Sequence, residues 1–384
     1  MERNELCWCG SGKKYKKCHL MIEEKIAYHA DKGEIVPTRD MLKTIPQIEG
    51  IQKSADLNTA VLDHVAAHIH AGMSTAEIDK LVYDYTTEHG GIPAPLNYQG
   101  FPKSVCTSIN NEICHGIPDE NIILEEGDII NVDVSTILGG YFSDASRMFM
   151  IGKVSERAER LVRVTQECVE LGLAQAKPWN HLGDIADAIN THAKENGYSV
   201  VEEIGGHGVG LEFHEEPWVS YVTPKGSEML LVPGMIFTIE PMINEGSPEF
   251  FVDEDNDWTV YTEDDGLSAQ VEYMVRITDD GAVVMNDNYN GLDAEAREKI
   301  QSFLKQQEEK EQETSPQQQT VTPIGQEQPP QQKRKEPELA NWQKVMDNGE
   351  YLRSVEMAEE ANYNMIDGLM NNVRKVKDKD KPRE

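Results

Sequence analysis

An α+β fold is expected for the central part of the 384-residue chain. Apolar residues recur at helical spacing in two pairs of segments, and each pair is followed by short alternating stretches separated by turn residues. A helix pair followed by strands, twice over, also hints at an internal duplication. Residues 1–20 form a cysteine- and lysine-rich module, 21–46 a connector ending at Pro46, and 47–290 the main domain. Within the main domain, Ile48, Ile51, Ala55, Leu57, Val61, Leu62, Val65, Ala66 and Ile69 share one helix face ahead of a stop at Gly72. Ser74 and Glu77 have capping-box spacing and open a second helix to about Glu88. Residues 155–177 and 181–196 give the second helix pair, and the chain to about 286 is strand-rich.

Texture changes after residue 300. Residues 301–337 are dominated by Gln, Glu and Pro; they bury too little apolar surface to offset their chain entropy and are expected to be a disordered linker. Residues 338–376 regain helical patterning around an Asp347-Asn348-Gly349 turn. They read equally as a hairpin capping the main domain or as a docking module for a partner.

The formal net charge is −32 at pH 7. The acidity resides in residues 21–300, because the first twenty residues are net basic and the tail is nearly balanced. Such a domain does not grip a phosphate backbone unaided, which argues against a DNA-binding protein or a nucleic-acid enzyme. No run is long and apolar enough to span a membrane, and MERNELCWCG lacks the apolar core of a signal peptide. A cytoplasmic protein is expected, where cysteines are metal ligands or small core residues sooner than disulfides.

CWCGSGKKYKKCH places Cys7, Cys9, Cys18 and His19 in one short loop. Four such ligands suit a tetrahedral structural zinc, Gly10 and Gly12 allow the tight turn, and nearby lysines favour thiolates. With almost no core of its own, the loop would owe most of its fold to the metal. Its spacing and GSGKKYKKCH core resemble the SEC-C motif, which implies zinc binding and contacts with proteins or ribosomes.

In GDIINVDVSTILGGYFSDASRMFM, Ile130, Val132 and Val134 alternate with Asn131, Asp133 and Ser135, predicting a half-buried strand. Gly139-Gly140 is a two-residue hairpin signal. Pairing across it puts Asp144 opposite Ser135 and diagonal to Asp133 on the same face. Two carboxylates so placed repel unless a cation lies between them. Glu240 in VPGMIFTIEPM and Glu272 in LSAQVEYMVRIT interrupt apolar strands, where an acid is costly to bury unless paired or coordinated. With an imidazole from GGHGVG, these acids point to a metal pair.

HGIPD at 115–119, NVDVS at 131–135, D-x-S-R-M-F at 144–149, GGHGVG at 205–210, FHEEP at 213–217, TIEPM at 238–242 and SAQVEY at 268–273 occur in order. Together, over roughly residues 40–286, they resemble the type I methionine aminopeptidases. The resemblance implies the pita-bread fold, a pseudo-twofold curved antiparallel sheet backed by helices. It also implies two divalent ions (Co, Mn, Fe or Zn) held by Asp133, Asp144, His207, Glu240 and Glu272. The implied reaction removes the initiator methionine from nascent chains through an activated water, with Glu240 as general base. His115 and His214 would contact the substrate, and Tyr98, Phe101, Cys106 and Trp258 would line the methionine pocket. A monomer is expected.

Two departures stand out. Tyr273-Met274 follows Glu272 where the family usually has His-Thr, and Pro95 stands where it usually has Cys. A proline-directed relative of the prolidase or aminopeptidase P type is the alternative reading. A non-catalytic binding protein on the same fold is disfavoured because all five ligand positions are filled.

Overall fold

The structure, a computed structural model, describes residues 1–286 and Lys305. Apart from Lys305, the linker at 301–337 and the segment at 338–376 lie outside the described residues. Helices α1 (Leu20–Ala30), α2 (Ile45–Ala66) and α3 (Thr75–Glu88) precede the strands of the first half, and α4 (Glu156–Gln175) and α5 (Leu182–Glu195) those of the second. In the first half these are β1 (Ile92–Pro93), β2 (Cys106–Ile109), β3 (Glu112–Cys114), β4 (Ile129–Leu138) and β5 (Tyr141–Met150). In the second they are β6 (Ser199–Val200), β7 (Gly206–Gly208), β8 (Glu215–Val219), β9 (Ile236–Ile239), β10 (Met242–Asn244), β11 (Phe250–Val252), β12 (Val260–Thr262), β13 (Ser268–Gln270), β14 (Tyr273–Ile277) and β15 (Ala282–Val284).

The strands pair antiparallel. In the first half β1, β4 and β2 are neighbours, with β5 on β4, and α2 packs on β4 and β5. Val61, Leu62 and Val65 of α2 meet Ile78 and Val82 of α3 and Val132 and Val134 of β4 in one core. In the second half the order β15-β14-β9-β7-β8 makes the main sheet, with β13-β10-β6 beside it. Leu161, Cys168, Ile185 and Ile189 of α4 and α5 pack there against Phe237, Ile239 and Val275. Each fully buried aliphatic or phenyl side chain contributes roughly 1.5–3 kcal/mol, so both halves are held mainly by these layers.

Local chemistry sets the helix ends. Helix α2 starts at Ile45, ahead of the Pro46 boundary, because Thr44 caps it: its hydroxyl accepts from Gln47 N while Gln47 Oε1 accepts from Thr44 N at 2.7 Å. It ends at Ala66, well short of Gly72, because Gly72 N donates to Leu124 O at 2.7 Å and draws the chain onto another segment. Ser74 and Glu77 form the expected capping box of α3.

Strand β4 departs from expectation. Its polar face is covered too: Asn131 and Ser135 are each 3% exposed. Asn131 Nδ2 donates to Ser146 Oγ at 2.9 Å and, across the halves, to Gln270 O at 2.7 Å. Alternation of residue type revealed two faces, but the polar one lines an interior centre instead of meeting solvent.

Residues 21–46, read as a connector, contain α1, and Ile26 and Leu42 enter the core of the second half. Ile45 N donates to Cys9 O at 2.8 Å and Leu230 N to Ile35 O at 2.9 Å. No helix among the described residues is long and apolar enough to cross a membrane.

Candidate metal centre and adjoining ring cluster

The Asp133 and Asp144 carboxylates converge because of a tight turn. Gly139 and Gly140 have φ of 61° and 84°, which a two-residue hairpin of this hand requires. The resulting register pairs Asp144 with Ser135 and Asp133 with Ser146. Ser135 Oγ donates to Asp144 Oδ1 at 2.8 Å.

The other half supplies the imidazole and the glutamates. His207 lies on β7, where its Nδ1 meets the carbonyl of Gly208 at 2.9 Å. A carbonyl only accepts, so Nδ1 carries the proton and Nε2 presents its lone pair. Nε2 is 3.6 Å from Asp144 Oδ2 and 3.6 Å from Glu240 Oε1. Thr238 Oγ1 accepts from His207 N at 2.9 Å and donates to Glu240 Oε1 at 2.5 Å, so one hydroxyl fixes two acid–base groups. Gln270 Nε2 holds the other oxygen of Glu240 at 3.1 Å. Glu272 bridges to Ser146 between β13 and β14, and ligand atoms of Asp144, His207 and Glu272 all lie within 4.8 Å of one another. The glycines around His207 have a steric reason. A Cβ on Gly206 would come within 2.6 Å of Thr238 O, and one on Gly208 would strike the backbone of Glu216.

The electrostatics of this cluster are extreme. Burial pushes the Asp133 carboxyl up to about 7, against a hydrogen bond with Asp144. Burial, with repulsion from Asp133, pushes Glu240 up to about 8 despite its bonds to Thr238 and Gln270. Asp144 and Glu272 lie well above the usual carboxylate range, through burial and then repulsion from the neighbouring acids. Asp133 Oδ1 is buried without a hydrogen-bond partner. Four buried acids facing one lone-pair nitrogen are short of positive charge, and the donor set (one nitrogen, several oxygens, no sulfur) fits divalent cations.

Beside the centre lies a cluster of aromatic and imidazole rings. His214 Nδ1 is 3.0 Å from Tyr98 Oη, and its ring centroid is 4.2 Å from that of His207. His214 keeps one edge open to solvent, yet desolvation by the surrounding protein and then His207 and His115 hold it well below the usual imidazole range. Burial lowers His115 to about 4, and its φ of 56° marks a backbone held in a sparsely populated region. The rings of Phe101 and Trp258 meet edge to face at 5.2 Å, and His115 approaches Trp258 at 6.1 Å. Cys106 pairs with Asp133 across β2 and β4; burial and then the Asp133 charge keep its thiol protonated.

The structure thus gathers Asp133, Asp144, His207, Glu240 and Glu272, with His115, His214, Tyr98, Phe101, Cys106 and Trp258 around them. Sequence reading missed Thr238, Gln270 and Phe213. Thr238 and Gln270 each lie two residues before a glutamate, so strand periodicity puts them on the glutamate's side. Phe213, whose ring lies 4.3 Å from His214 and 4.8 Å from Tyr98, carried no signal beyond its place in FHEEP.

A second cluster lies at the N-terminus. His19 Nδ1 is 3.2 Å from both Cys7 Sγ and Cys18 Sγ, and Cys9 Sγ is 3.6 Å from Cys18 Sγ. These four ligand atoms lie within 4.8 Å of one another. Gly10 and Gly12 have φ of 79° and 69°. The Glu23 carboxylate accepts from Trp8 Nε1 at 2.9 Å, from Tyr15 Oη and from Arg39 Nη2 at 3.0 Å, tying the loop to α1 and to the chain ahead of α2.

Two helix-backed halves closing on a buried carboxylate–imidazole centre define a metallopeptidase class. The profile of metallopeptidase family M24 matches residues 49–280, and the chain belongs to that family. Its pita-bread fold carries two additions: the SEC-C motif matches residues 3–20, and a domain of unknown function (DUF4316) matches residues 348–384.

More particularly, the chain is 46% identical over 239 residues to methionine aminopeptidase A of Synechocystis sp., covering 62% of this chain and 94% of that protein. It is 43% identical over 245 residues to the methionine aminopeptidase of Escherichia coli K12, covering 64% and 92%. The crystal structure of methionine aminopeptidase from Rickettsia prowazekii superposes with a TM-score of 0.63 at 39% identity, covering 64% of this chain and 98% of that one. A prolidase from Pyrococcus furiosus, at 23% identity and a TM-score of 0.52, shares the fold alone.

Proposed function

We propose that this chain is a metalloaminopeptidase that removes the initiator methionine from nascent polypeptides. The observation that carries the reading is the grouping of Asp133, Asp144, His207, Glu240 and Glu272, shielded from solvent, beside a cluster of aromatic and imidazole rings. Identity to methionine aminopeptidases over nearly their full length supports the same substrate.

These five side chains would hold divalent ions, with manganese, cobalt, iron(II) and zinc all compatible with the donors. When bound, such ions polarise the scissile carbonyl and acidify a water at neutral pH. Glu240 is the proton acceptor: Thr238 and Gln270 fix its two oxygens, so the carboxylate that receives the proton is already aimed. It then passes the proton to the leaving amine. His214 engages Tyr98 through Nδ1, which leaves Nε2–H to donate to the substrate carbonyl oxygen. His115, neutral at physiological pH, offers a second uncharged polar edge. Tyr98, Phe101, Trp258 and the protonated thiol of Cys106 form the apolar wall for the methionine side chain, which Phe213 extends.

Cys7, Cys9, Cys18 and His19 would bind a structural zinc, and the basic module would contact the ribosome or another partner. A cytoplasmic monomer fits that task. The deciding experiment is methionine release from a Met-Gly-Met-type tripeptide by metal-stripped protein, with each metal added back. Metal-dependent release from the N-terminus alone is expected. Cleavage restricted to proline-containing peptides would transfer the assignment to the prolidase type.

A further inference from the structure

Lys43 lies outside the segment matched to the peptidase family, yet its side chain is only 1% exposed. Its Nζ meets Glu215 Oε2 at 2.5 Å. The other oxygen of Glu215 accepts from Leu211 N at 2.8 Å. One carboxylate therefore closes the loop from 211 to 215 on itself and fastens it to the chain ahead of α2. His214 is the residue immediately before that carboxylate, and the loop joins β7, which carries His207, to β8. Lys43 is itself anchored: its N donates to Gly234 O at 2.9 Å, Thr44 caps α2, and Ile45 N donates to the Cys9 carbonyl at 2.8 Å.

We propose that Lys43 is a positioning residue for the aminopeptidase reaction, acting through Glu215 to hold His214 against the scissile carbonyl. The inference rests on the peptidase reading for its catalytic consequence, although the brace itself does not. Three facts favour this over simple stabilisation. A buried lysine is costly to desolvate, and an apolar residue of similar volume serves packing as well or better. The partner carboxylate uses its second oxygen on the loop backbone, not on a further charge. The Tyr98 hydroxyl, 3.0 Å from His214 Nδ1, orients the imidazole but not the backbone that carries it, which is otherwise held by the bond from Phe142 N to Gly210 O at 2.9 Å and by ring contacts of Phe213 with Tyr98 at 4.8 Å and with Phe142 at 6.3 Å. The segment between the cysteine cluster and α2 thereby becomes part of the support of the reacting groups.

The test is a double-mutant cycle in the full-length, manganese-loaded chain. Lys43→Met is expected to lower kcat on the methionyl tripeptide about tenfold, well below its unfolding temperature, with a smaller change in KM. In a His214→Ala background the same substitution is expected to cause no further loss, because the group it positions is gone. Glu215→Gln keeps an oxygen for Leu211 N but loses the ion pair; it should reproduce the loss and serves if Lys43→Met does not fold. An unchanged kcat, or an equal loss in both backgrounds, overturns the proposal.

A second readout is independent of turnover. The imidazole resonance of His214, assigned in zinc-loaded (diamagnetic) ring-labelled protein by its absence from His214→Ala, should shift or broaden in Lys43→Met. An unmoved resonance also overturns the brace. If the wild-type chain releases no methionine, the peptidase reading falls while this spectrum still decides the role of Lys43.

Discussion

Glu23 is expected to be the residue on which retention of the zinc proposed for the N-terminal cluster depends. Its carboxylate is 6% exposed and collects three donors: the indole of Trp8, the hydroxyl of Tyr15 and the guanidinium of Arg39. Glu23→Leu fills the same volume and accepts nothing. The buried Tyr15 donor then lacks an acceptor, at about 1.5 kcal/mol for a bond to a charged group, and the half-buried Trp8 indole loses about 1 kcal/mol. Arg39, at 44% exposure, reaches water instead and adds at most about 1 kcal/mol. A local loss of about 3 kcal/mol raises the open population of the module about a hundredfold. With manganese in the catalytic centre and zinc in the module, transfer of zinc to a chromogenic chelator should accelerate by that factor wherever opening limits release. Glu23→Gln should fall between the two. Transfer from Glu23→Leu at the wild-type rate would refute the reasoning, since these donors would then be shown not to need this carboxylate.

Asp144→Asn should cut methionine release by more than about a hundredfold, the upper range seen for merely outer-shell changes at metal centres. Its metal-free unfolding temperature should not fall, because a buried like charge is removed; a variant with full activity would end the metal assignment. Gly206→Ala should weaken metal binding, read by calorimetric titration, because its Cβ would press on Tyr221 and on the Thr238 carbonyl next to His207. Unaltered affinity would mean that the strand tolerates displacement there. Burial alone would raise Glu167, but His192 and then Arg163 bring it below its usual value. A lowered carboxylate stabilises the fold above its unfolded-state pKa and loses that contribution as the pH falls through its folded value. In urea unfolding, Glu167→Gln should therefore be less stable than wild type at pH 7, and the gap should narrow as the pH falls below its usual value of 4.5; a constant gap down through that range would contradict the linkage.

Much of the centre was legible in the chain because it is built from local rules. Gly139-Gly140 fixed the hairpin register, and the register alone brought Asp133 and Asp144 to one face. Acids within apolar strands, Glu240 and Glu272, flagged themselves by their cost. Other features lay beyond pattern reading because their causes are non-local. The end of α2 at Ala66 depends on Leu124, and the covered polar face of β4 depends on Gln270. Helix α1 was passed over as connector because its core contact, Ile26, finds partners only in the second half. Lys43 looks like any surface lysine until Glu215, far along the chain, is placed beside it.

The stitching between halves has a further consequence. Asn131 reaches Gln270, and Asn286 reaches the Asp144 carbonyl at 2.5 Å while its Oδ1 accepts from Met274 N at 2.9 Å. The first half provides two aspartates and the second provides the histidine and both glutamates, so neither half holds the full donor set. A chain still being synthesised that has reached only about residue 200 therefore carries Asp133 and Asp144 but lacks His207, Glu240 and Glu272. Glu272 is the last of these donors along the chain, so their order delays completion of the proposed centre until the second half has been made.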